Sequence, residues 1–256
     1  MFTYEKPDNL VSSFETTRAE HPTAPFIGTK NANGEYEWDS YEALGKRVDN
    51  LRGAFARLGV GPGDTVGIIA NNRPEWFVTA MAAYGRRASF VPMYESELEK
   101  LWHYIVRDSR MKVLIVSTRA IQEVVAPFLV TVETLERIYV IEDVGHESLA
   151  DLERMGAEHP IDPMTPAPDE VASIVYTSGT TGDPKGVMLT HGNITSNARA
   201  GWRLYPFLEQ SSASISILPW AHSYGMTAEL FCFMQFGGRI GIMESVATLG
   251  QDIETI

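Results

Sequence analysis

Between Val66 and Ile141 the chain alternates short apolar runs with stretches of helical period, and that alternation limits the fold more than any other feature. Residues 66–70, 89–91, 113–116 and 138–141 lack the apolar–polar alternation of a half-exposed strand, so they read as strands buried on both faces. Pro92 is expected to close the second of them, because it has no N–H for a sheet ladder. Between the strands, Asn71-Asn72-Arg73-Pro74 opens a helix with Pro74 in the first helical position. Leu98, Leu101, Trp102 and Ile105 mark a second helix, and residues 121–129 a third. Strands separated by helices of this length need crossover connections, which predicts an α/β protein with a mostly parallel sheet.

Upstream, Tyr41, Leu44, Val48, Leu51, Phe55 and Leu58 form one apolar stripe of a helix over residues 41–58, read as core packing. Asp39 with Glu42 three positions later resembles a capping box, Gly59 ends the helix, and Gly61-Pro62-Gly63-Asp64 is a turn. Downstream, residues 156–170 carry prolines at 160, 163, 166 and 168 and read as a surface connector. An apolar run over 171–176, a glycine-rich loop, a second run Val187-Met188-Leu189 and a helix capped by Asn193 follow. Residues 226–243 are the most apolar long stretch, but Glu229, Gln235 and Arg239 interrupt it, so it reads as a buried helix and strand rather than a membrane span. Residues from about 60 to 205 are expected to form one sheet layer, and the N-terminal segment with residues beyond about 210 a second. Val246, Leu249, Ile253 and Ile256 fall at helical spacing, yet that helix meets neither a Gly nor a basic last turn. A chain that stops inside a larger fold and a frayed natural terminus both fit this.

Composition narrows the function classes. Of 256 residues, 44% are hydrophobic and 21% charged, enough apolar material for a core and too much for a disordered tail. Lys plus Arg number 21 against 33 Asp plus Glu, a formal charge of −12, which argues against a nucleic-acid partner. It does not exclude phosphate ligands, which backbone N–H groups can hold locally. Cys232 is the only cysteine, so no intrachain disulfide can form and a reducing compartment fits. Its neighbours Leu230, Phe231 and Phe233 make it a buried, inert thiol. The N-terminus lacks a basic region followed by an apolar stretch, so no secretory signal is read and a cytoplasmic location is expected.

The chemistry is concentrated in Tyr176-Thr177-Ser178-Gly179-Thr180-Thr181-Gly182-Asp183-Pro184-Lys185-Gly186. Three glycines let backbone approach a ligand, the hydroxyls of Thr177, Ser178, Thr180 and Thr181 can donate to phosphate oxygens or bind a metal, and Lys185 adds a point charge. The string is not a Walker A loop, because Pro184 precedes the lysine and Gly186 follows it where Gly-Lys-Ser/Thr is required. A turn-rich exposed hairpin is the bland alternative; the combination of glycines, hydroxyls and lysine favours a phosphate-holding loop.

This string resembles the phosphate-loop signature of the AMP-forming superfamily of acyl-CoA synthetases, luciferases and peptide-synthetase adenylation domains. The resemblance covers essentially the whole chain. Leu58-Gly59-Val60-Gly61-Pro62-Gly63-Asp64-Thr65-Val66, Asn72-Arg73-Pro74-Glu75-Trp76, Val91-Pro92-Met93-Tyr94 and Leu218-Pro219-Trp220-Ala221-His222-Ser223-Tyr224-Gly225 also match, most closely in the long-chain fatty acyl-CoA synthetase branch. It implies an α/β fold of parallel sheets sandwiched by helices, and a reaction of fatty acid, ATP and coenzyme A with Mg²⁺. A carboxylate attacks the α-phosphorus of ATP to give acyl-adenylate and pyrophosphate, and the coenzyme A thiol then displaces AMP. By the same resemblance Thr177, Ser178, Gly179, Thr180, Thr181, Gly182 and Lys185 hold the β- and γ-phosphates, and Thr177 touches Mg²⁺. Lys185 and His222 take catalytic roles, His222 by positioning the acyl carboxylate and adenylate, and His222, Tyr224 and Gly225 contact the acyl substrate. Tyr224 and Met226 read equally as acyl wall or core, and His191, at a strand-to-helix turn, as structural.

The superfamily's adenine, ribose, hinge and catalytic-lysine motifs have no match in this chain. Residues 1–256 are therefore expected to be the N-terminal part of an AMP-binding domain, without its C-terminal part and the small mobile domain. Two functional readings follow: the N-terminal part of a long-chain fatty acid–CoA ligase, or a catalytically incompetent fragment that binds phosphate or acyl chains weakly or complements another fragment. The resemblance leaves peripheral membrane contact and oligomeric state open.

Overall fold

The computed structural model describes residues 7–177, 183–205 and 207–256. It opens with α1 (Leu10–Glu20), the hairpin β1 (Pro25–Lys30) and β2 (Tyr36–Ser40), and α2 (Tyr41–Arg57). The alternation follows: β3 (Thr65–Ile69), α3 (Pro74–Tyr84), β4 (Ser89–Met93), α4 (Glu99–Asp108), β5 (Val113–Val116), α5 (Arg119–Val125), α6 (Phe128–Thr131) and β6 (Arg137–Val140). After α7 (Leu149–Ala157) come β7 (Val171–Thr177), β8 (Lys185–Thr190), α8 (His191–Leu204) and β9 (Ala213–Ser216). A π-helix (Gly225–Phe231), α9 (Cys232–Phe236), β10 (Arg239–Ile242) and α10 (Leu249–Thr255) complete it.

The strands form two sheets, a six-stranded one ordered β6-β5-β3-β4-β7-β8 and a four-stranded one ordered β2-β1-β10-β9. Within each, only the hairpin partners β7–β8 and β1–β2 run antiparallel. This is the expected α/β architecture in the expected two layers. Strand alternation divides the six-stranded sheet between two cores. Val66, Ile68, Phe90, Val113 and Ile115 face the layer between the sheets, whereas Ile69, Val91, Leu114 and Val116 face α4, α5 and α6. The middle layer contains α3, which is buried all round from Trp76 to Tyr84 and apolar there except for Thr79, as a helix covered on every side requires.

The expected stripe of α2 is core: Tyr41, Leu44, Val48, Leu51 and Phe55 are buried. Its cap is Ser40, whose hydroxyl accepts the Ala43 N–H at 3.1 Å; Asp39 instead pairs with Ile27 inside β2, and Glu42 binds Arg18. Gly59 ends the helix region at φ +69°. Pro92 does not close β4 but lies within it, opposite Ile68 of β3, while the register of β4 with β7 is confined to Phe90 and Ser173. The helix expected over 121–129 is two, broken before α6 by Pro127, which lacks the N–H that would continue the helix. Asn193 is not the cap of α8 but its third residue: Thr190 caps, and each side chain accepts the other's backbone N–H at 3.1 Å. The connector starts later than expected, since Gly156 belongs to α7. The terminal stripe is not a buried face either. Val246 and Ile253 are exposed, and the one fully buried side chain of α10 is Asp252.

His191 is structural, as expected. It is buried beneath Tyr84, whose ring it meets edge-on at 5.2 Å, and its Nδ1 accepts the Leu10 N–H at 3.4 Å. Burial lowers its pKa from 6.5 to about 4, against the attraction of Glu170. The unfolded chain takes up this proton below pH 6.5 and the folded chain only near 4, so the folded state is favoured in full above 6.5. Stability is expected to fall by up to about 3 kcal/mol as pH drops from 6.5 to 4, at 1.36 kcal/mol per unit. Urea titrations across that range check this: His191→Gln should flatten the dependence relative to the unmodified chain.

Candidate functional site

The hairpin β7–β8 carries the loop. Because β7 is parallel to its neighbour β4, its last residue lies at the carboxyl edge of the sheet, where open α/β sheets bind ligands. The last pair before the loop is Thr177 opposite Lys185, both exposed. Ser178, Gly179, Thr180, Thr181 and Gly182 lie outside the described residues. One pair further down the stem, Tyr176 stands opposite Gly186. A Cβ at Gly186 would fall 2.9 Å from Ile174 and 3.1 Å from the Tyr176 ring, so the glycine gives that ring room to lie across the stem. The Tyr176 hydroxyl then donates to Asp108 at the end of α4, at 2.6 Å. Burial, with the adjacent Asp108 carboxylate, pushes this phenol's pKa far up, so it stays a donor. Thr177 and Pro184 also line a small cavity of about 170 Å³ with Tyr94 and Glu97.

The segment after β9 supplies the second group of residues. His222 is exposed at a turn: its N–H donates to Pro219 O and its carbonyl accepts from Met226 N–H, both at 3.0 Å. Its Nδ1 accepts the Tyr224 N–H at 3.2 Å, so in the neutral imidazole Nε2 carries the proton; His222 itself is not among the residues of the cavity that Tyr224 lines. Tyr224 is 64% exposed and forms part of a cavity wall. Gly225 is buried and does not line that cavity. A Cβ there would sit 2.5 Å from Pro219 O, so the glycine lets the turn close on the π-helix. Met226 is fully buried core, its sulfur 3.9 Å from the Ser173 hydroxyl.

The cavity, of about 750 Å³, lies between α8 and the π-helix. Leu189, Ile194, Leu204, Leu208, Leu218 and Phe233 make it mainly apolar, and Asn193, Asn197, Thr227 and Glu229 add polar groups. Cys232 is on the wall, and burial pushes its thiol up to about 11, so it serves as an apolar surface rather than a nucleophile. Leu189 and Lys185 lie on the same strand, four residues or about 13 Å apart, so β8 connects the cavity wall to the loop stem. Sequence reasoning treated Glu229 only as a break in an apolar stretch. Its one available signal was an isolated carboxylate among apolar residues, and the π winding that places it has no such signal. Among the described residues no three His, Cys, Asp or Glu side chains converge as a metal cage, and no helix is long and apolar enough to cross a membrane.

The profile of the AMP-binding enzyme family matches residues 14–256. Fatty acyl-CoA synthetase A of Dictyostelium discoideum is 32% identical over 237 residues, covering 87% of this chain and 35% of that protein. Long-chain-fatty-acid–CoA ligase 5 of Rattus norvegicus is 30% identical over 277 residues, covering 100% of this chain and 40% of that protein. Among solved structures, an anthranilate CoA ligase in complex with anthranoyl-AMP superposes with a TM-score of 0.85 at 21% identity, covering 99% of this chain and 48% of that one. A long-chain-fatty-acid-CoA ligase from Archaeoglobus fulgidus superposes at 0.82 and 23% identity, covering 99% and 50%. At these identities the structures speak for the fold. The chain spans between about a third and a half of the length of these proteins.

Proposed function

The chain belongs to the AMP-binding enzyme family, and on that premise we propose that residues 1–256 form the N-terminal part of the AMP-binding domain of a long-chain fatty acyl-CoA synthetase. The observation that carries the substrate reading is the cavity of about 750 Å³, apolar over most of its wall, with Tyr224 of the His222 turn among its residues. A long acyl chain is the ligand that such a wall suits.

In this reading the carboxylate of the fatty acid attacks the α-phosphorus of ATP and the bond to pyrophosphate breaks. The thiol of coenzyme A then attacks the acyl carbon and AMP leaves. The ammonium of Lys185 and the N–H and hydroxyl groups of Ser178, Gly179, Thr180, Thr181 and Gly182 hold the β- and γ-phosphates as charge builds on the leaving pyrophosphate. Mg²⁺, if bound, would be held on the protein side by the exposed hydroxyl of Thr177 and would supply positive charge against the phosphates. The Nε2–H of His222 donates to the fatty acid carboxylate and orients it. Tyr224 walls the acyl chain, and Gly225 lets the turn that carries both His222 and Tyr224 close. The proposed setting is cytoplasmic.

The test uses two ligands and two variants. Lys185→Ala should weaken Mg·ATP binding about tenfold or more, the value of one charge-assisted contact. Ala228→Trp, which fills the cavity, should abolish binding of a fluorescent palmitate analogue and leave Mg·ATP affinity unchanged. Equal Mg·ATP affinity in Lys185→Ala and the unmodified chain would remove the loop's role; unchanged palmitate binding in Ala228→Trp would remove the cavity's.

A further inference from the structure

Beyond Ser216, the last residue of β9, the chain has left the sheet, so the backbone groups of residues 217–220 need partners elsewhere. Two side chains from different parts of the fold supply them. Glu229, in the π-helix, accepts the Ser216 hydroxyl at 2.7 Å with one carboxylate oxygen, and the N–H groups of Ile217 and Leu218 at 3.3 and 3.1 Å with the other. Asn72, in the turn between β3 and α3, donates to the Ser216 hydroxyl at 3.0 Å and to Leu218 O at 2.8 Å, and accepts the Trp220 N–H at 2.7 Å. These partners fix the Asn72 amide, because a flipped amide would set its NH₂ against the Trp220 N–H. Ser216, buried, accepts from Asn72 and donates to Glu229, which joins the two into one network.

We propose that Asn72 and Glu229 are positioning residues, a clamp that fixes the 216–220 segment and through it holds the His222 imidazole in the Nε2–H tautomer, bonded to the N–H of Tyr224 on the cavity wall. The path is continuous. The clamp orients Pro219, Pro219 O holds the His222 N–H, and the turn so formed aims the Tyr224 N–H at His222 Nδ1. Among the described residues no cation pairs with Glu229, so N–H and O–H donors alone meet its charge, the pattern of a carboxylate used to hold backbone. It projects from a π-helix, a winding frequently found at functional sites. Asn72 stands at the end of β3, so the clamp also ties the six-stranded sheet to the segment that leaves the four-stranded one.

The tautomer part of this inference stands on the geometry alone; its ligand part rests on the cavity reading above. Asn72→Asp keeps the shape and the acceptor but loses both donors, and Glu229→Gln keeps the shape but loses the charge. Both are compared with the unmodified 256-residue chain by imidazole ¹H–¹⁵N spectra at alkaline pH, with His222→Gln giving the assignment, and by thermal midpoint and palmitate-analogue affinity. The unmodified chain should show a single Nε2–H tautomer for His222. Each variant should show a tautomer mixture, a shifted Tyr224 amide and palmitate affinity about tenfold weaker, the scale of one or two lost hydrogen bonds. A changed imidazole spectrum in the variants with no palmitate binding by any protein would support the clamp and reject the acyl cavity. An unchanged imidazole spectrum, with or without a lower melting temperature, would overturn the clamp and leave the network with a purely structural role.

Discussion

Gly156→Ala is expected to cost about 3 kcal/mol or more and to leave the chain without a cooperative unfolding transition. The reason lies where α7 crosses α2. A Cβ at Gly156 would stand 1.8 Å from Asn50 O and 2.5 Å from Ala54 N, and one at Gly53 2.6 Å from His159 O. These neighbours are backbone atoms, so no rotamer change relieves the overlap and the helices must separate. Overpacking a core typically costs about 1–3 kcal/mol and more when backbone must move, whereas the gain in helix propensity from Gly to Ala is at most about 1 kcal/mol. Domains have only about 5–15 kcal/mol to lose, and α2 also packs on the central α3. Gly250→Ala is the control: it is also helical, a Cβ there meets nothing, and it should stabilise slightly. Urea unfolding of both variants decides the point. A Gly156→Ala transition within 1 kcal/mol of the unmodified chain, as an order of magnitude, would mean that the helices can slide apart at little cost.

The second large effect concerns Lys30 and Asp252. Lys30, on β1, pairs with the fully buried Asp252 of α10 and is itself 5% exposed. Glu244 N–H at 3.2 Å and the Thr248 hydroxyl at 3.1 Å complete the carboxylate's partners. Burial alone would raise the Asp252 pKa, but these hydrogen bonds, that of Lys30 foremost, hold it below the usual carboxylate range. Burial, with the nearby Asp252 and Glu244 charges added, pushes Tyr36 up to about 12, so it stays neutral beneath the lysine. Removing Lys30 leaves the buried Asp252 charge with neutral donors alone, and removing Asp252 leaves Lys30 only the exposed Glu244 carboxylate, 3.9 Å away. Lys30→Met or Asp252→Leu alone is therefore expected to cost about 3–5 kcal/mol, while the double variant returns to near the original stability. A thermodynamic cycle of the four proteins measures this; additive single losses would show that the two charges are solvated independently.

The sequence made the six-stranded layer legible because its strands are buried on both faces and its crossovers have regular length. It made the loop legible because Gly, Thr and Lys are concentrated in one string. The errors lie where a local pattern competed with a tertiary partner. Asp39 looked like a cap, but the pairing of β1 with β2 claimed it and left Ser40 for the helix. The last helix looked amphipathic by spacing, yet its anchor is one carboxylate whose partner lies on β1. Asn72 was visible as a turn residue and within a matching motif. Its three bonds to residues 216–220 join positions too distant in the chain for any periodicity to show. Glu229 was hidden for another reason: its partners are only 11–13 residues away, but the π winding that aims it at them leaves no sequence pattern. The space that Gly225 leaves is bounded by Pro219 O, a backbone atom that no spacing rule reveals.

The pairing of β1 with β10 has a consequence for biosynthesis. The β1–β2 hairpin leaves the ribosome early, but Ile240, the parallel partner of Ile27, is made roughly 210 residues later, a wait of about 10–40 s at 5–20 residues per second. During that interval the hairpin is a two-stranded ribbon with an open edge, marginal by itself and ready to accept a foreign strand. The local hairpin β7–β8 and the crossovers of the six-stranded sheet can close meanwhile. The four-stranded sheet is thus the last to assemble, and a nascent chain stalled before residue 239 leaves the edge of β1 at Ile27 and Gly28 unpaired, open to whatever chaperone is at hand.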